Sequence, residues 1–289
     1  MNWLNKRRWY YGISGFLLAA SILGIAFGGL KMGVEFTGGS ALVVHATDVS
    51  VQQMKEAAEQ ASSENVSVNE IRETTPNTYE LRLNPLTNAQ KDEFVQKLQP
   101  SGVKAIEQSF QAVGPSVGKE MLFKTGAAVI IAVGVILLYV WRQFQDWRFG
   151  LAAVIAMLHD SLILVGSYAL ASHLLHLEVD LLFVTAVLTI LSFSVHDTIV
   201  VFDQVRELKL QRLRVSLEHI ADQAITQTLP RSLNNSLTIL IMLASLIALG
   251  GESLRGFTLA LFLGTLIGTY SSTFVALPLL VDFSRQKNS

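Results

Sequence analysis

Ionisable side chains lie at three places within strongly apolar stretches of the sequence. They are His159 and Asp160 in one stretch, His196 and Asp197 in a second, and Arg231 at the start of a third. A charged side chain at the centre of a membrane costs about 2.5–3.5 kcal/mol on insertion scales, so such residues usually face the interior of a helix bundle. They often mark ion or proton paths. We therefore predict that these five residues form a proton relay.

Helical spacing arranges further polar residues into two stripes. The first stripe, at positions i, i+4, i+7 and i+11, comprises Thr185, Thr189, Ser192 and His196. Asp197 lies on its flank, about 100° round the helix axis. The second stripe comprises Arg231, Asn234, Asn235 and Thr238. Such stripes are typical either of a hydrated path inside a bundle or of polar contacts between packed helices.

The depths of the charged groups can be compared from their positions in the apolar stretches. Asp160 lies about 16 Å into its stretch at 1.5 Å per residue, which predicts a place near the membrane midplane. Asp197 lies roughly 8 Å from the end of its stretch, and Arg231 opens the next stretch from the same side. We expect Asp197 and Arg231 to pair, because an ion pair lowers the cost of burying either charge.

Other chemistries find little support in the sequence. The chain has no cysteine, which excludes disulfides, thiol nucleophiles and thiolate metal sites. The two His-Asp pairs are poorly suited to a metal, because adjacent helical residues point about 100° apart. The net charge of −1 gives no basic excess that would indicate nucleic acid. We expect no catalytic residue, no metal and no cofactor.

Composition separates the chain into two kinds of sequence. The 289 residues are 51% hydrophobic and 16% charged, against roughly 25% charged in an ordinary soluble domain. Nearly half of the charged residues lie within residues 31–120, so the rest of the chain is charge-poor. This distribution argues against a single soluble enzyme, and the high hydrophobicity argues against a disordered chain.

The charge-poor sequence contains six runs long enough to cross a membrane, for which about 20 apolar residues are needed. They are residues 11–30, 124–141, 149–171, 181–202, 233–249 and 257–280. The same runs could instead be core helices of a large soluble protein, but they are longer than core helices usually are. The first run exceeds the core of a signal peptide and ends without an A-x-A-like site, so we interpret it as an uncleaved anchor. The sequence predicts a membrane α-helical protein with six transmembrane helices.

Basic residues predict the orientation of these helices. Cytoplasmic loops carry an excess of Lys and Arg. One side holds Lys6, Arg7, Arg8, Arg142, Arg148, Arg206, Lys209, Arg212, Arg214, Arg285 and Lys287, whereas the short loops of the other side hold only Arg255. We expect both termini in the cytoplasm and residues 31–120 outside the cytoplasmic membrane, on the periplasmic side.

The charged block is predicted to form an external α+β domain of the ferredoxin-like type between helices 1 and 2. Its order is β-α-β-β-α-β, with strands at 41–46, 66–72, 79–83 and 103–110 and helices at 51–63 and 89–98. Thr87 is the expected N-cap of the second helix. The predicted division is 1–30 (N-terminus and helix 1), 31–120 (external domain with linkers) and 121–289 (helices 2–6).

Two further patterns concern the helical part. Leu210, Leu213, Leu217, Ile220 and Ala224 give the cytoplasmic segment at about 206–226 an apolar face, which predicts a helix lying along the membrane surface. Gly264 and Gly268, and less regularly Gly126 and Gly134, are small residues suited to close helix packing.

Four motifs resemble those of the bacterial SecD/SecF family. Residues 33–39 resemble G-[IV]-[DE]-F-T-G-G, and residues 113–118 resemble V-G-P-x-V-G; the motif residues are Gly33, Glu35, Phe36, Thr37, Gly38, Gly39, Gly114, Pro115 and Gly118. Residues 196–207 resemble N-D-T-[IV]-V-V-F-D-R-[IV]-R-E, and residues 228–238 resemble T-L-x-R-[ST]-[IL]-N-T-S-[LI]-T. The four motifs occur in the order found in the family, and with the six spans and the external domain the resemblance covers nearly the whole chain. It is specific to the SecF branch of the family.

This resemblance implies a function in protein export. A SecF subunit pairs with SecD in a twelve-span body like that of the resistance-nodulation-division superfamily. The pair associates with the SecYEG channel and uses the proton motive force to help draw a translocating polypeptide outward. The family's membrane Asp and Arg fall on Asp197 and Arg231. His196 stands where the family usually has Asn, and Gln204 where it commonly has Arg.

Two other functions remain open from the residues alone. Half of a proton-driven small-molecule exporter of the same superfamily would need a substrate cleft, for which one external domain of about 70 residues offers little room. An intramembrane hydrolase using the His-Asp pairs is less well supported, because no span carries the H-E-x-x-H spacing of a zinc protease.

Overall fold

The computed structural model describes residues 2–63, 65–99, 103, 105–144, 146–211 and 215–285. Four residues used in the sequence predictions, Arg212, Leu213, Arg214 and Lys287, lie outside these ranges. The chain forms two compact units, residues 1–31 with 128–289, and residues 32–127.

The chain starts with an apolar helix and continues into a small α+β unit. Helix α1 (Arg7–Leu23) follows a 3-10 turn (Leu4–Lys6) and ends in a π-helical turn (Gly24–Gly28). The next elements are α2 (Val34–Thr37), β1 (Gly39–His45), α3 (Val51–Ala61), β2 (Val68–Thr75), β3 (Thr78–Leu83), α4 (Asn88–Leu98) and β4 (Ile106–Val113).

Long helices make up the rest of the described chain. They are α5 (Pro115–Phe144), α6 (Trp147–Leu175), α7 (Leu181–Gln211), α8 (Leu217–Leu249) and α9 (Arg255–Ser271), which continues through a π-helical turn (Ser272–Ala276) into α10 (Leu277–Arg285). Within the described residues, six helical segments are long and apolar enough to cross a membrane. The predicted number of spans is therefore confirmed.

The structure corrects several predicted boundaries. Helices α5 and α8 begin well before the predicted spans 124–141 and 233–249, because polar helical turns precede their apolar parts. The segment 206–226 does not form one separate helix. Its described residues form the end of α7 and the beginning of α8, and Leu210 is exposed whereas Ile220 is buried.

The described strands form one antiparallel sheet in the order β2-β3-β1-β4. Alternate residues of β1 and β3, among them Leu42 and Leu81, are fully buried in one core with Met54 of α3 and Phe94 of α4. Because strand side chains alternate between faces, this pattern covers one face of the sheet with the two helices. The hydroxyl of Thr87 accepts a bond from the backbone N–H of Gln90, which confirms the predicted N-cap.

The last strand lies three residues further along the chain than the predicted 103–110. Strand β4 pairs with β1 from Ile106 opposite His45 to Val113 opposite Gly39. It is an edge strand, mostly exposed, so its sequence lacks the apolar alternation that locates an inner strand. Val103 is buried in the core before the strand begins.

Helices α6, α7 and α9 form the centre of the helical unit. In the most apolar part of α6, 61% of residues are buried, whereas none are in the corresponding part of α5. Helix α7 packs along α9, and α6 packs against α1, α7 and α9. Two of these central helices, α6 and α7, carry His159, Asp160, His196 and Asp197, so the fold buries the two segments with the His-Asp pairs.

Glycines allow the closest of these helix contacts. A Cβ on Gly166 of α6 would overlap the backbone of Ser21 in α1, and one on Gly264 of α9 would lie 2.5 Å from Ile190 of α7. Gly126 and Gly134 of α5 would meet no atom within 4 Å, so of the two predicted glycine pairs only Gly264 and Gly268 of α9 lie in close helix contacts among the described residues.

We predict that Gly166→Ala destabilises the folded protein by about 1–3 kcal/mol, because the added methyl group forces α1 and α6 apart. Gly126→Ala is the matched control, and alanine is the better helix former by about 1 kcal/mol, so it should be neutral or slightly stabilising. Unfolding of the detergent-purified protein measures both. Equal effects of the two substitutions would contradict the packing argument.

Candidate functional site

Asp160 is buried at the meeting point of three helical segments. Only 1% of the residue is exposed. Its Oδ2 accepts hydrogen bonds from the hydroxyls of Ser194 on α7 and Ser271 on α9, each at 2.5 Å. Its Oδ1 lies 2.9 Å from Nδ1 of His159. The carboxyl group is thus held by side chains from α6, α7 and α9.

Asp197 occupies a second buried site one turn along α7 from Ser194. Its Oδ2 accepts a hydrogen bond from the hydroxyl of Ser232 on α8. It also lies 3.2 Å from the hydroxyl of Ser272, the first residue of the π-helical turn. Asp197 is 6% exposed. The two carboxylates therefore bind four hydroxyl groups, two of which belong to consecutive residues.

His159 is the ionisable neighbour of Asp160. The side chain is buried, and Nδ1 donates to the carboxylate when Asp160 is ionised. Its other ring nitrogen, Nε2, is buried without a hydrogen-bond partner among the described residues. This site therefore has two groups that can hold a proton, the carboxylate and the imidazole.

Neutral hydroxyls contact both carboxylates, and at Asp160 the imidazole of His159 is a further partner. Within the described residues, neither carboxylate forms an ion pair with a lysine or an arginine. A hydroxyl both donates and accepts hydrogen bonds, so it can bind either an ionised or a protonated carboxyl group. The arrangement thus permits either carboxyl group to take up or release a proton without breaking an ion pair with a lysine or an arginine.

The expected pair of Asp197 and Arg231 is not formed. Arg231 is exposed, and the neighbouring Ser232 is the residue of α8 that contacts Asp197. Consecutive residues of a helix point about 100° apart, so only one of them can project towards α7. The sequence indicates that Arg231 lies at a depth in the span similar to that of Asp197. It does not determine how α8 is rotated about its axis, and this rotation decides which residue faces α7.

The two polar stripes lie on the surface of this chain and do not line an interior path within it. Thr185, Thr189, Ser192 and His196 are exposed and, with Leu188 and Phe193, line a shallow groove along α7. Asn234, Asn235 and Thr238 of α8 are also exposed. The hydroxyls of Thr185, Thr189 and Thr238 donate to backbone carbonyls one turn earlier in their own helices.

Sequence reasoning missed the four serines that hold the carboxylates: Ser194, Ser232, Ser271 and Ser272. A hydroxyl residue in a span usually bonds within or between helices and gives no functional signal. A signal existed at residues 271–273, where three hydroxyl residues follow one another inside an apolar span.

Two of the sequence motifs are in direct contact within the α+β unit. Gly33 is the N-cap of α2, and residues 34–37 form its single turn. Gly38 has a φ of 75°, and a Cβ there would lie 2.7 Å from Cα of Pro115. A Cβ on Gly118 would lie 2.8 Å from the backbone nitrogen of Gly38. The glycines thus let the start of β1 and the start of α5 approach backbone to backbone.

In the described residues, six long apolar helical segments with two carboxylates buried among them define a multi-pass membrane protein that carries a small α+β unit. The family described as "Protein export membrane protein SecD/SecF, C-terminal" matches residues 93–286. The chain belongs to this family.

Individual relatives agree with this assignment. The protein translocase subunit SecF of Thermobaculum terrenum is 35% identical, with 96% of this chain and 93% of the relative covered. The protein translocase subunit SecDF of Thermus thermophilus is 34% identical over 97% of this chain, but this chain spans only 38% of that protein. Because these relatives are named as translocase subunits, the function is a SecF-like one in protein export, and a small-molecule exporter is not favoured.

Solved structures of SecDF have the same fold. The crystal structure of the Thermus thermophilus protein, titled a translocon-associated membrane protein, matches 99% of this chain with a TM-score of 0.85 and 32% identity. A SecDF structure in a super-membrane-facing form matches the whole chain with a TM-score of 0.71 and 31% identity. In both cases this chain spans 39% of the solved chain.

We predict that Asp160→Ala destabilises the protein by about 2–4 kcal/mol, because it leaves a cavity and removes the acceptor of two buried hydroxyls. Asp160→Asn keeps the volume and one acceptor oxygen, so its effect should be smaller. Asp203, a half-buried residue paired with Arg206 on α7, is the control, and Asp203→Ala should cost at most about 1 kcal/mol. Unfolding in detergent tests the order of the three variants.

Proposed function

We propose that the chain is a SecF-like subunit that couples the proton motive force to protein export through protonation of Asp197 and Asp160. The observation that carries this proposal is the pair of buried carboxylates held by neutral hydroxyls from neighbouring helices. Intramembrane carboxylates commonly serve proton movement, and within the described residues neither Asp160 nor Asp197 pairs with a lysine or an arginine.

Protonation would act on helix packing. An ionised Asp197 is a strong acceptor for Ser232 of α8 and Ser272 of the sixth span, whereas a protonated one is a weaker acceptor and itself a donor. Protonation therefore loosens the contacts that join α7 to these two segments. One charge crossing a potential of 100 mV supplies about 2.3 kcal/mol, enough to bias a two-state helix arrangement about fifty-fold.

The exposed polar surface supports a second membrane subunit as partner. The exposed side chains of His196, Arg231 and the two asparagines, Asn234 and Asn235, would be costly against lipid. We therefore infer that the surface with the two polar stripes faces another helical protein. SecD is the partner that fits, since the Thermus relative named SecDF is much longer than this chain. Arg231 and His196 then belong to the proton relay at the boundary between the two subunits, and His159 belongs to it through Asp160.

We infer that the protein lies in the bacterial cytoplasmic (inner) membrane with both termini in the cytoplasm, as the distribution of basic residues indicates. The domains are then 1–30, an external 31–120 and 121–289. The element order and the strand order β2-β3-β1-β4 support a ferredoxin-like external domain. This domain would act on the translocating polypeptide beside the SecYEG channel, and the subunit would have no enzymatic activity.

Asp197→Asn should leave the complex assembled but abolish the stimulation of export by the proton gradient. The amide keeps the size of the side chain but cannot take up and release the proton. Export of a precursor into inverted membrane vesicles, with and without a gradient, measures the effect. Asp203→Asn, on the same helix but half-exposed, should retain wild-type stimulation.

Full stimulation in the Asp197→Asn vesicles, with the complex intact on copurification, would refute the proton-relay role. Arg231→Gln provides a second test, because it removes the charge at the proposed subunit boundary. We expect it to reduce gradient-dependent export while gradient-independent export persists.

A further inference from the structure

Two consecutive serines in the sixth span connect the two carboxylates. Ser271 is the last residue of α9, and Ser272 is the first residue of the π-helical turn. Both are fully buried. Because consecutive helical residues point about 100° apart, the hydroxyl of Ser271 reaches Asp160 of α6, while that of Ser272 reaches Asp197 of α7.

The hydroxyls also share an acceptor. Ser272 lies 2.6 Å from the carbonyl oxygen of Gly268, and Ser271 lies 3.3 Å from the same oxygen. Each hydroxyl has one proton and two acceptors, a carboxylate and this carbonyl. In this structure Ser271 lies closer to its carboxylate, whereas Ser272 lies closer to the carbonyl than to Asp197.

We propose that Ser271 and Ser272 are positioning residues that couple the protonation of Asp160 to that of Asp197, which rests on the proton relay proposed above. A protonated Asp160 attracts the Ser271 proton less, so Ser271 turns towards the Gly268 carbonyl. That oxygen then binds Ser272 less well, and Ser272 donates to Asp197 instead. Protonation of Asp160 thereby stabilises the ionised form of Asp197, and by reciprocity the reverse also holds.

The coupling has a direct consequence for the relay. Because a proton on one carboxyl group disfavours a proton on the other, the pair tends to carry a single proton that can occupy either site. The two carboxylates then act as successive proton-binding sites that are not protonated at the same time. The hydroxyls of Ser271 and Ser272 would couple the protonation state of the carboxyl group on α6 to that of the carboxyl group on α7.

Other titratable groups lie near Asp160 and Asp197, and the experiment must separate their effects from that of the two serines. His159 of α6 contacts Asp160, and His196 is the neighbour of Asp197 on α7. Arg231 precedes Ser232 on α8, and Tyr270 precedes Ser271 on α9 and bonds to α1. Direct repulsion between the two carboxylates also has the same sign as the proposed coupling. Substitution of the serines separates these effects, since charge repulsion does not depend on the hydroxyls.

The test uses the complex with its partner subunit, reconstituted in vesicles. The infrared C=O stretch of protonated carboxyl groups is followed against pH, and the Asp197 band is identified by its loss in Asp197→Asn. Asp160→Asn mimics a permanently protonated Asp160. We expect it to move the Asp197 midpoint to lower pH by about one unit, a tenfold change in proton affinity. In the Ser271→Ala and Ser272→Ala backgrounds this shift should fall by at least half.

Two serines serve as matched controls. Ser194→Ala removes a donor to Asp160 but leaves the link through residues 271 and 272 intact. Ser172→Ala removes a buried hydroxyl of α6 that donates only to the backbone carbonyl of Ala169. Both should preserve the shift caused by Asp160→Asn. Ser271→Cys and Ser272→Cys keep the approximate volume, so they test the same point if the alanine variants do not assemble.

The outcomes separate this inference from the proposed function. A shift of the Asp197 midpoint that is unchanged in folded Ser271 and Ser272 variants would overturn the coupling and leave the relay intact. Equal loss of the shift in the Ser172→Ala control would also overturn it, because the effect would then be one of general packing. Full gradient-dependent export by Asp197→Asn would instead remove the relay itself.

Discussion

The burial of two carboxylates in an apolar helix bundle is the constraint on which the rest of the structure depends. A carboxylate without water needs other donors, and here the donors are serine hydroxyls from three neighbouring helical segments. These bonds require α6, α7 and the sixth span to meet closely at one level. The segments with the two carboxylates, α6 and α7, are therefore central, whereas α5 is peripheral.

Packing and chemistry use the same residues in the sixth span. Gly268 lets α9 approach α7, since a Cβ there would lie 3.3 Å from that of Ser194. The carbonyl oxygen of the same residue lies 3.3 Å from the hydroxyl of Ser271 and 2.6 Å from that of Ser272, so both hydroxyls compete for it. The π-helical turn that begins at Ser272 changes the helix repeat where the two serines diverge, and such turns are common at functional sites. A substitution that moved α9 away from α7 would thus disturb packing and the hydroxyl network together.

The sequence predicted the features that depend on composition and on the spacing of apolar residues. It failed to predict the contacts that depend on how a helix is rotated about its axis. Six spans follow from apolar length alone, and the β-α-β-β-α-β order follows from alternation and turn residues. The buried positions of Asp160 and Asp197 follow from the cost of a charge in hydrocarbon. The pairing of Asp197 with Ser232 in place of Arg231 depends on how α8 is turned, which no local pattern specifies. Ser271 and Ser272 were missed because hydroxyls in spans are usually structural.

The outward position of the polar stripes completes the argument for a shared proton path. His196 faces the surface groove of α7, while its neighbour Asp197 faces the interior of the bundle. Adjacent residues of one helix thus join the surface of this chain to its buried carboxylates. The ionisable and amide groups of this surface, His196, Arg231, Asn234 and Asn235, would lose their hydration if lipid covered them, which is unfavourable. We infer that a second helical subunit packs against this surface of α7 and α8. Protons would then arrive between the two subunits and move inward to Asp197.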